Sequence, residues 1–142
     1  MAIRILLADD HKIVRQGLRS LLLEGGKEGL QVVGEADNGQ EAVRLAEALC
    51  PDVAVLDIAM PILNGIDAAK EIAQVSPQTK TILLTMYDEP GFVLKSLRAG
   101  VRGFLLKARA AEDLVQAIGV VSGGEVYLSP GISQDVLRSF PE

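Results

Sequence analysis

A doubly wound parallel α/β sheet is the fold class this sequence predicts, and three observations carry it. Strand-like and helix-like stretches alternate five times along the chain. Most of the strand stretches are short, continuous apolar runs rather than alternating ones, the pattern of strands buried on both faces. The connections are short, and regular βα repetition of that kind places helices on both faces of a parallel sheet.

The elements follow in order. The first strand falls near Ile3–Ala8, and Val14, Leu18, Leu21 and Leu22 then recur at helical spacing. A second strand near Gln31–Glu35 runs into Asp37-Asn38-Gly39, a turn that precedes a helix carrying Ala42, Leu45, Ala46 and Leu49. Cys50-Pro51 ends that helix, and Cys50 is expected to pack there. Val53–Leu56 is the third strand and Gly65–Gln74 the third helix, closed by Ser76-Pro77. Thr81–Leu84, a helix over Gly91–Ala99 with Gly100 as its cap, Gly103–Leu106 and a helix over Ala111–Val121 complete the pattern. Five strands so arranged suit the flavodoxin-like order 2-1-3-4-5. Residues 1–122 form one domain, and the stretch from Gly123-Gly124 to Pro130-Gly131 ends it. Ile132–Phe140 is weakly amphipathic and too short to bury a core of its own.

Bulk properties exclude several classes. The 142 residues match the commonest single-domain size. No apolar run approaches the roughly 18–20 residues that span a bilayer, and the N-terminus reaches paired acids too soon for a signal peptide. One cysteine excludes an internal disulfide, so a cytoplasmic setting is expected. A net charge of −5 argues against nucleic-acid binding by residues 1–142.

The chemistry gathers at the strand ends. In a parallel sheet the carboxyl ends of the strands share one rim, where ligands bind. Here those ends carry Asp9-Asp10, Asp57, Thr85 and Lys107. Asp57 can act as a nucleophile towards phosphorus, giving an acyl phosphate, although an aspartate past a strand is often only a turn or helix cap. Asp9 and Asp10 opposite Asp57 would repel it unless a cation intervenes. Mg²⁺ suits such a site because it takes one or two carboxylates, phosphate oxygens and waters. Asp10 is the direct ligand of choice and Asp9 acts through water; an N-cap role for Asp10 at a helix beginning near Lys12 is compatible with this. Thr85 can donate a hydrogen bond to a phosphoryl oxygen. Lys107, its stem fixed by the preceding Phe104-Leu105-Leu106, would stabilise the charge that phosphotransfer delivers.

Asp9-Asp10, Asp57, Met60-Pro61, Asn64-Gly65, Thr85, Phe104 and Lys107, in this order and spacing, resemble the receiver domains of bacterial two-component response regulators. The likeness covers about residues 3–122. ADDHKIVRQGL, DIAMPILNGIDA, LTMYDEPGFV, GFLLK and VVSGGEVYLSP look more narrowly like receivers that precede a LuxR-type helix-turn-helix, the NarL/FixJ-like group. The resemblance implies that Asp57 accepts a phosphoryl group from a sensor histidine kinase. It implies that Asp10, Asp57 and the backbone carbonyl of Ala59 bind Mg²⁺, with Asp9 acting through water, and that Lys107 contacts the phosphoryl group. Thr85 and Phe104 would form a switch controlling homodimerisation, through the first and fifth helices or the fourth helix and fifth strand. The output would be a DNA-binding domain governing transcription, joined by a linker that starts within residues 123–142; the alternative is a stand-alone receiver acting by protein contact.

Three positions depart from the common pattern: Phe104 replaces Tyr, Met86 is bulky, and Arg109 stands where an acidic or small polar residue is usual. Ala59 has no polar group to orient water and Tyr87 can shield the phosphoryl group, so slow self-dephosphorylation is expected. His11 is read as a helix-start residue with local hydrogen bonds. Gly65 permits a close backbone approach, and Arg15, Arg19, Arg44 and Arg98 lie on solvated faces or protein contacts. A haloacid-dehalogenase-type phosphohydrolase would need a second acid at Ala59 and a cap. A nucleotide module would need a Gly-rich loop where Asp9-Asp10 stand.

Overall fold

A computed structural model of the chain describes residues 2–25, 29–86 and 90–129. Strands β1 (Ile3–Ala8), β2 (Leu30–Ala36), β3 (Val53–Asp57), β4 (Lys80–Thr85), β5 (Gly103–Leu106) and β6 (Tyr127–Leu128) form one sheet in the order β2-β1-β3-β4-β5-β6. Every neighbouring pair is parallel. Helices α1 (Lys12–Gly25), α2 (Gly39–Leu49), α3 (Gly65–Val75), α4 (Pro90–Arg98) and α5 (Ala110–Ser122) make the crossovers. The flavodoxin-like order expected for the first five strands is present.

Successive strand side chains point to opposite faces, and the core divides accordingly. Ile5, Leu7, Val53, Val55, Ile82, Leu84 and Leu105 pack against α1 and α5 through Leu18, Leu22, Leu114 and Ile118. Leu6, Ala54, Leu56, Leu83 and Phe104 pack against α2, α3 and α4 through Ala42, Ala46, Ile72 and Val93. This double burial is why the strands read as continuous apolar runs.

Polar residues set the helix limits. Asn38 and Asn64 cap α2 and α3, their side chains accepting from the Glu41 and Asp67 amides at 2.8 and 2.9 Å. Gly100, at φ +94°, closes α4 as expected: its amide donates to Leu97 O and that of Val101 to Ser96 O, a Schellman pair. Gly124 ends α5 in the same way, with bonds to Val121 O and from Glu125 to Val120 O. Cys50 does end α2, in a left-handed conformation, but it is exposed rather than packed.

The sixth strand departs from the five expected. Two residues are too few to show a period, and the sheet continues past Ser122 because the Gly124 turn brings the chain back alongside β5. Tyr127 N donates to Arg102 O and Ser129 N to Phe104 O, while the buried Ser129 hydroxyl accepts from Leu106 N at 3.2 Å. Ile132–Phe140 and Tyr87 lie outside the described residues.

Candidate functional site

Register brings the first two acids together. Ala8 pairs with Leu56 across β1 and β3, so Asp9 and Asp57, one residue further on each strand, are neighbours. Alternation then sends Asp9, Asp57 and Lys107 to the same face as Leu7, Val55 and Leu105, the face covered by α1 and α5. Asp9 is fully buried and Asp57 is 3% exposed. The Lys107 ammonium lies 3.1 Å from Asp9 Oδ2 and 3.1 Å from Asp57 Oδ2. It donates a hydrogen bond to Asp57 Oδ2, whereas Asp9 Oδ2 receives no well-directed one.

Burial holds the Asp57 carboxyl above its ordinary pKa. The nearby Asp9 charge adds to this, and Lys107 only partly offsets it. For Lys107 burial works against the charged form, yet the carboxylates of Asp9 and Asp57 beside it prevail and raise its pKa. The pocket is therefore an anionic site with too few cations. Ligand atoms of Asp9, Asp10, His11 and Asp57 all lie within 4.8 Å of one another, close enough to hold a metal ion. Oxygen donors, a buried carboxylate oxygen without a hydrogen bond and excess negative charge fit a hard divalent cation.

Asp10 sits at the rim with a side chain 29% exposed. It does not cap α1: the helix bond from Arg15 N ends on His11 O, which makes His11 the cap residue. The side chain that serves this turn is Asp9, whose Oδ1 accepts from His11 N at 2.8 Å. The local hydrogen bond expected of His11 is thus present. Ala59 is exposed, and its amide makes a long 3.4 Å contact with Asp57 Oδ1. Gly65 allows the close approach expected of it. A Cβ there would stand 2.5 Å from Asp57 O and 2.9 Å from Ile58 Cα, and Gly65 N donates to Ile58 O.

Thr85 is buried at the end of β4, but alternation places it with Leu83 and Phe104 on the opposite face from Asp57 and Lys107. Leu83 pairs with Phe104 and Thr85 with Leu106, so Thr85 and Phe104 are diagonal neighbours. Phe104 is fully buried among the residues that contact α3 and α4. With no hydroxyl to satisfy outside, the ring gains only by burial. Met86 is 71% exposed. Arg109 makes two hydrogen bonds to the buried Asp113, at 2.9 and 3.3 Å, which accounts for its presence at the start of α5.

One supporting residue, Arg15, is held in contacts within the chain rather than on a solvated face. Arg15 is only 15% exposed; it donates to the Asp9 carbonyl at 2.7 Å and to Glu35 at 3.2 Å. It ties α1 to the acid loop and to the end of β2. Its spacing six residues after Asp9 carried no signal, because the contact depends on how α1 leaves the strand. Arg19, Arg44 and Arg98 are exposed as expected. Among the described residues, no helix is long and apolar enough to cross a membrane.

Comparison with known proteins agrees with this geometry. Residues 5–119 match the model of the response regulator receiver domain. The chain is 39% identical over 139 residues to response regulator GacA of Pseudomonas aeruginosa, covering 97% of this chain and 64% of that relative's length. A LuxR-family two-component response regulator from Aurantimonas sp. SI85-9A1 superposes with a TM-score of 0.91 at 36% identity, over 97% of each chain. RcsB, in a structure of two RcsB dimers bound to two parallel DNAs, gives 0.84 at 28% identity, over 96% of this chain and 69% of that one. With its acid pocket, lysine and strand order all in place, the chain belongs to the response regulator receiver domain family.

Proposed function

We propose that this receiver accepts a phosphoryl group on Asp57 from the phosphohistidine of a sensor kinase. The observation that carries the reading is the division of labour on the Asp57 carboxylate. Oδ2 is engaged by Lys107, while Oδ1 has only the long contact from Ala59 N and is left to attack phosphorus. Bound Mg²⁺ would neutralise the developing charge on the phosphoryl oxygens. Asp10, Asp57 and the Ala59 carbonyl would hold it, with Asp9 acting through water. Lys107 balances the charge on the product, and the Thr85 hydroxyl reads it by turning towards the phosphoryl oxygens.

Phe104 supplies the second half of the switch. Its ring already lies inside, so repositioning Thr85 changes the packing of a buried neighbour rather than drawing in an exposed ring. The chain around β6 is hydrogen-bonded on both sides of Phe104, Tyr127 N donating to Arg102 O and the Ser129 hydroxyl accepting from Leu106 N.

In the whole protein, the output would be homodimerisation and control of a DNA-binding domain in the cytoplasm, as the LuxR-family likeness suggests. Residues 1–122 would be the receiver and 123–142 the end of the domain and the start of the linker. Acting alone, the domain would be a phosphoacceptor and not a turnover enzyme.

Acetyl phosphate with Mg²⁺ tests this. The expected result is stoichiometric, Mg²⁺-dependent labelling that Asp57→Asn abolishes. Continuous phosphoester hydrolysis that survives Asp57→Asn would overturn it.

A further inference from the structure

His11 faces the acid pocket, although its place at the start of α1 does not require it to. Its Nδ1 lies 3.2 Å from Asp10 Oδ1 and 3.4 Å from Asp9 Oδ1. The bond from its own amide to Asp9 Oδ1 fixes the residue against the pocket wall. Asp9 Oδ2, in a fully buried side chain, meets the Lys107 ammonium at 3.1 Å without a well-directed hydrogen bond. Three carboxylates share one ammonium, so the pocket is short of positive charge even with Lys107 in it.

Carboxylate oxygens alone favour Mg²⁺, Ca²⁺ or Mn²⁺; an imidazole nitrogen suits Zn²⁺, Ni²⁺ and Cu²⁺. Tetrahedral metal–ligand bonds of about 2.1 Å set ligand atoms about 3.4 Å apart. The four candidate atoms lie within 4.8 Å, so the widest pair has to close by about 1.4 Å when the ion binds.

We propose that His11 Nδ1 joins Asp10 and Asp57 in a mixed nitrogen–oxygen site that binds a first-row transition metal such as Zn²⁺ or Co²⁺ in preference to Mg²⁺. The inference rests on the reading of the acid pocket as a metal site and adds a ligand and a selectivity to it. An ion held this way uses the same Asp57 carboxylate as Mg²⁺. The two metals therefore compete for one site.

The untagged chain carrying Cys50→Ser, which removes its one thiol, is titrated by calorimetry with Zn²⁺ and with Mg²⁺. Adding His11→Ala is expected to weaken Zn²⁺ by about tenfold or more and to change Mg²⁺ affinity by less than about twofold. His11 is the sole histidine, so its imidazole NMR signals report without assignment. Co²⁺ is expected to shift them paramagnetically and Mg²⁺ to leave them near their free positions. Unchanged Zn²⁺ affinity in His11→Ala overturns the proposal, as does an equal loss for both metals. Failure of Mg²⁺ to bind the unsubstituted pocket would sink the metal-site reading itself, and this proposal with it.

Discussion

Replacing Lys107 by Met keeps most of the stem volume and removes the ammonium that stands 3.1 Å from both Asp9 and Asp57. Breaking a buried ion pair usually costs about 3–5 kcal/mol, because the partner is left charged and uncompensated. Here there is an upper limit. The variant can neutralise Asp57 by taking up a proton, at about 1.4 kcal/mol per pH unit above an ordinary aspartate pKa near 3.9. At pH 7 that route limits the loss to about 4 kcal/mol, and the 18% exposure of Lys107 lowers the expectation to about 2–4 kcal/mol.

The direction with pH follows from the raised pKa of Asp57. The folded state binds this proton more tightly than the unfolded state, so stability falls as pH rises through the interval between the two pKa values. Without Lys107 that interval extends upward. At pH 5 the limit shrinks to about 1.5 kcal/mol. Urea denaturation in EDTA at pH 7 and pH 5, with wild type beside the variant, measures both differences. Added Mg²⁺ should restore part of the pH 7 loss, because a dication replaces the missing charge. Equal stability of variant and wild type at pH 7, or a loss as large at pH 5, would refute the reasoning.

Other expectations concern the loops around Asp57. Ile62 is a β-branched residue at φ +71°, 73% exposed, in a tight turn closed by Leu63 N to Pro61 O. Ile62→Asn should stabilise the fold by about 1 kcal/mol, since asparagine tolerates that conformation; an unchanged or lower urea midpoint would contradict this. Gly65→Ala forces a methyl onto the Asp57 carbonyl, so it should cost about 1–3 kcal/mol and slow phosphorylation together. Loss of stability with an unaltered rate would show that the approach serves packing alone. Ala59→Asn with Tyr87→Glu should shorten the lifetime of phospho-Asp57, and an unchanged decay rate would reject the shielding role given to these side chains.

Much of the fold was legible because strands buried on both faces write themselves as apolar runs. The β1 and β5 limits coincide with those expected, and the other three strands differ by one residue at one or both ends. β6 was not legible. It is held by backbone and Ser129 bonds to β5, and two residues leave no pattern. At the site, Asp9, Asp57 and Lys107 converge as their places at strand ends implied. Which face each strand end serves needs the register, and alternation sets Thr85 beside its expected partner Phe104 on the face opposite Asp57 and Lys107. Arg15 was missed for a related reason: its target is a backbone carbonyl, which sequence does not mark.

The most direct test of the account is the position of the phosphoryl group. After brief reaction with acetyl phosphate and Mg²⁺, borohydride reduction converts an acyl phosphate into a stable alcohol that peptide mapping can locate. The account predicts one reduced residue, Asp57. Reduction at Asp9 or Asp10, or an acid-labile phosphate on His11 with Asp57 untouched, would contradict it.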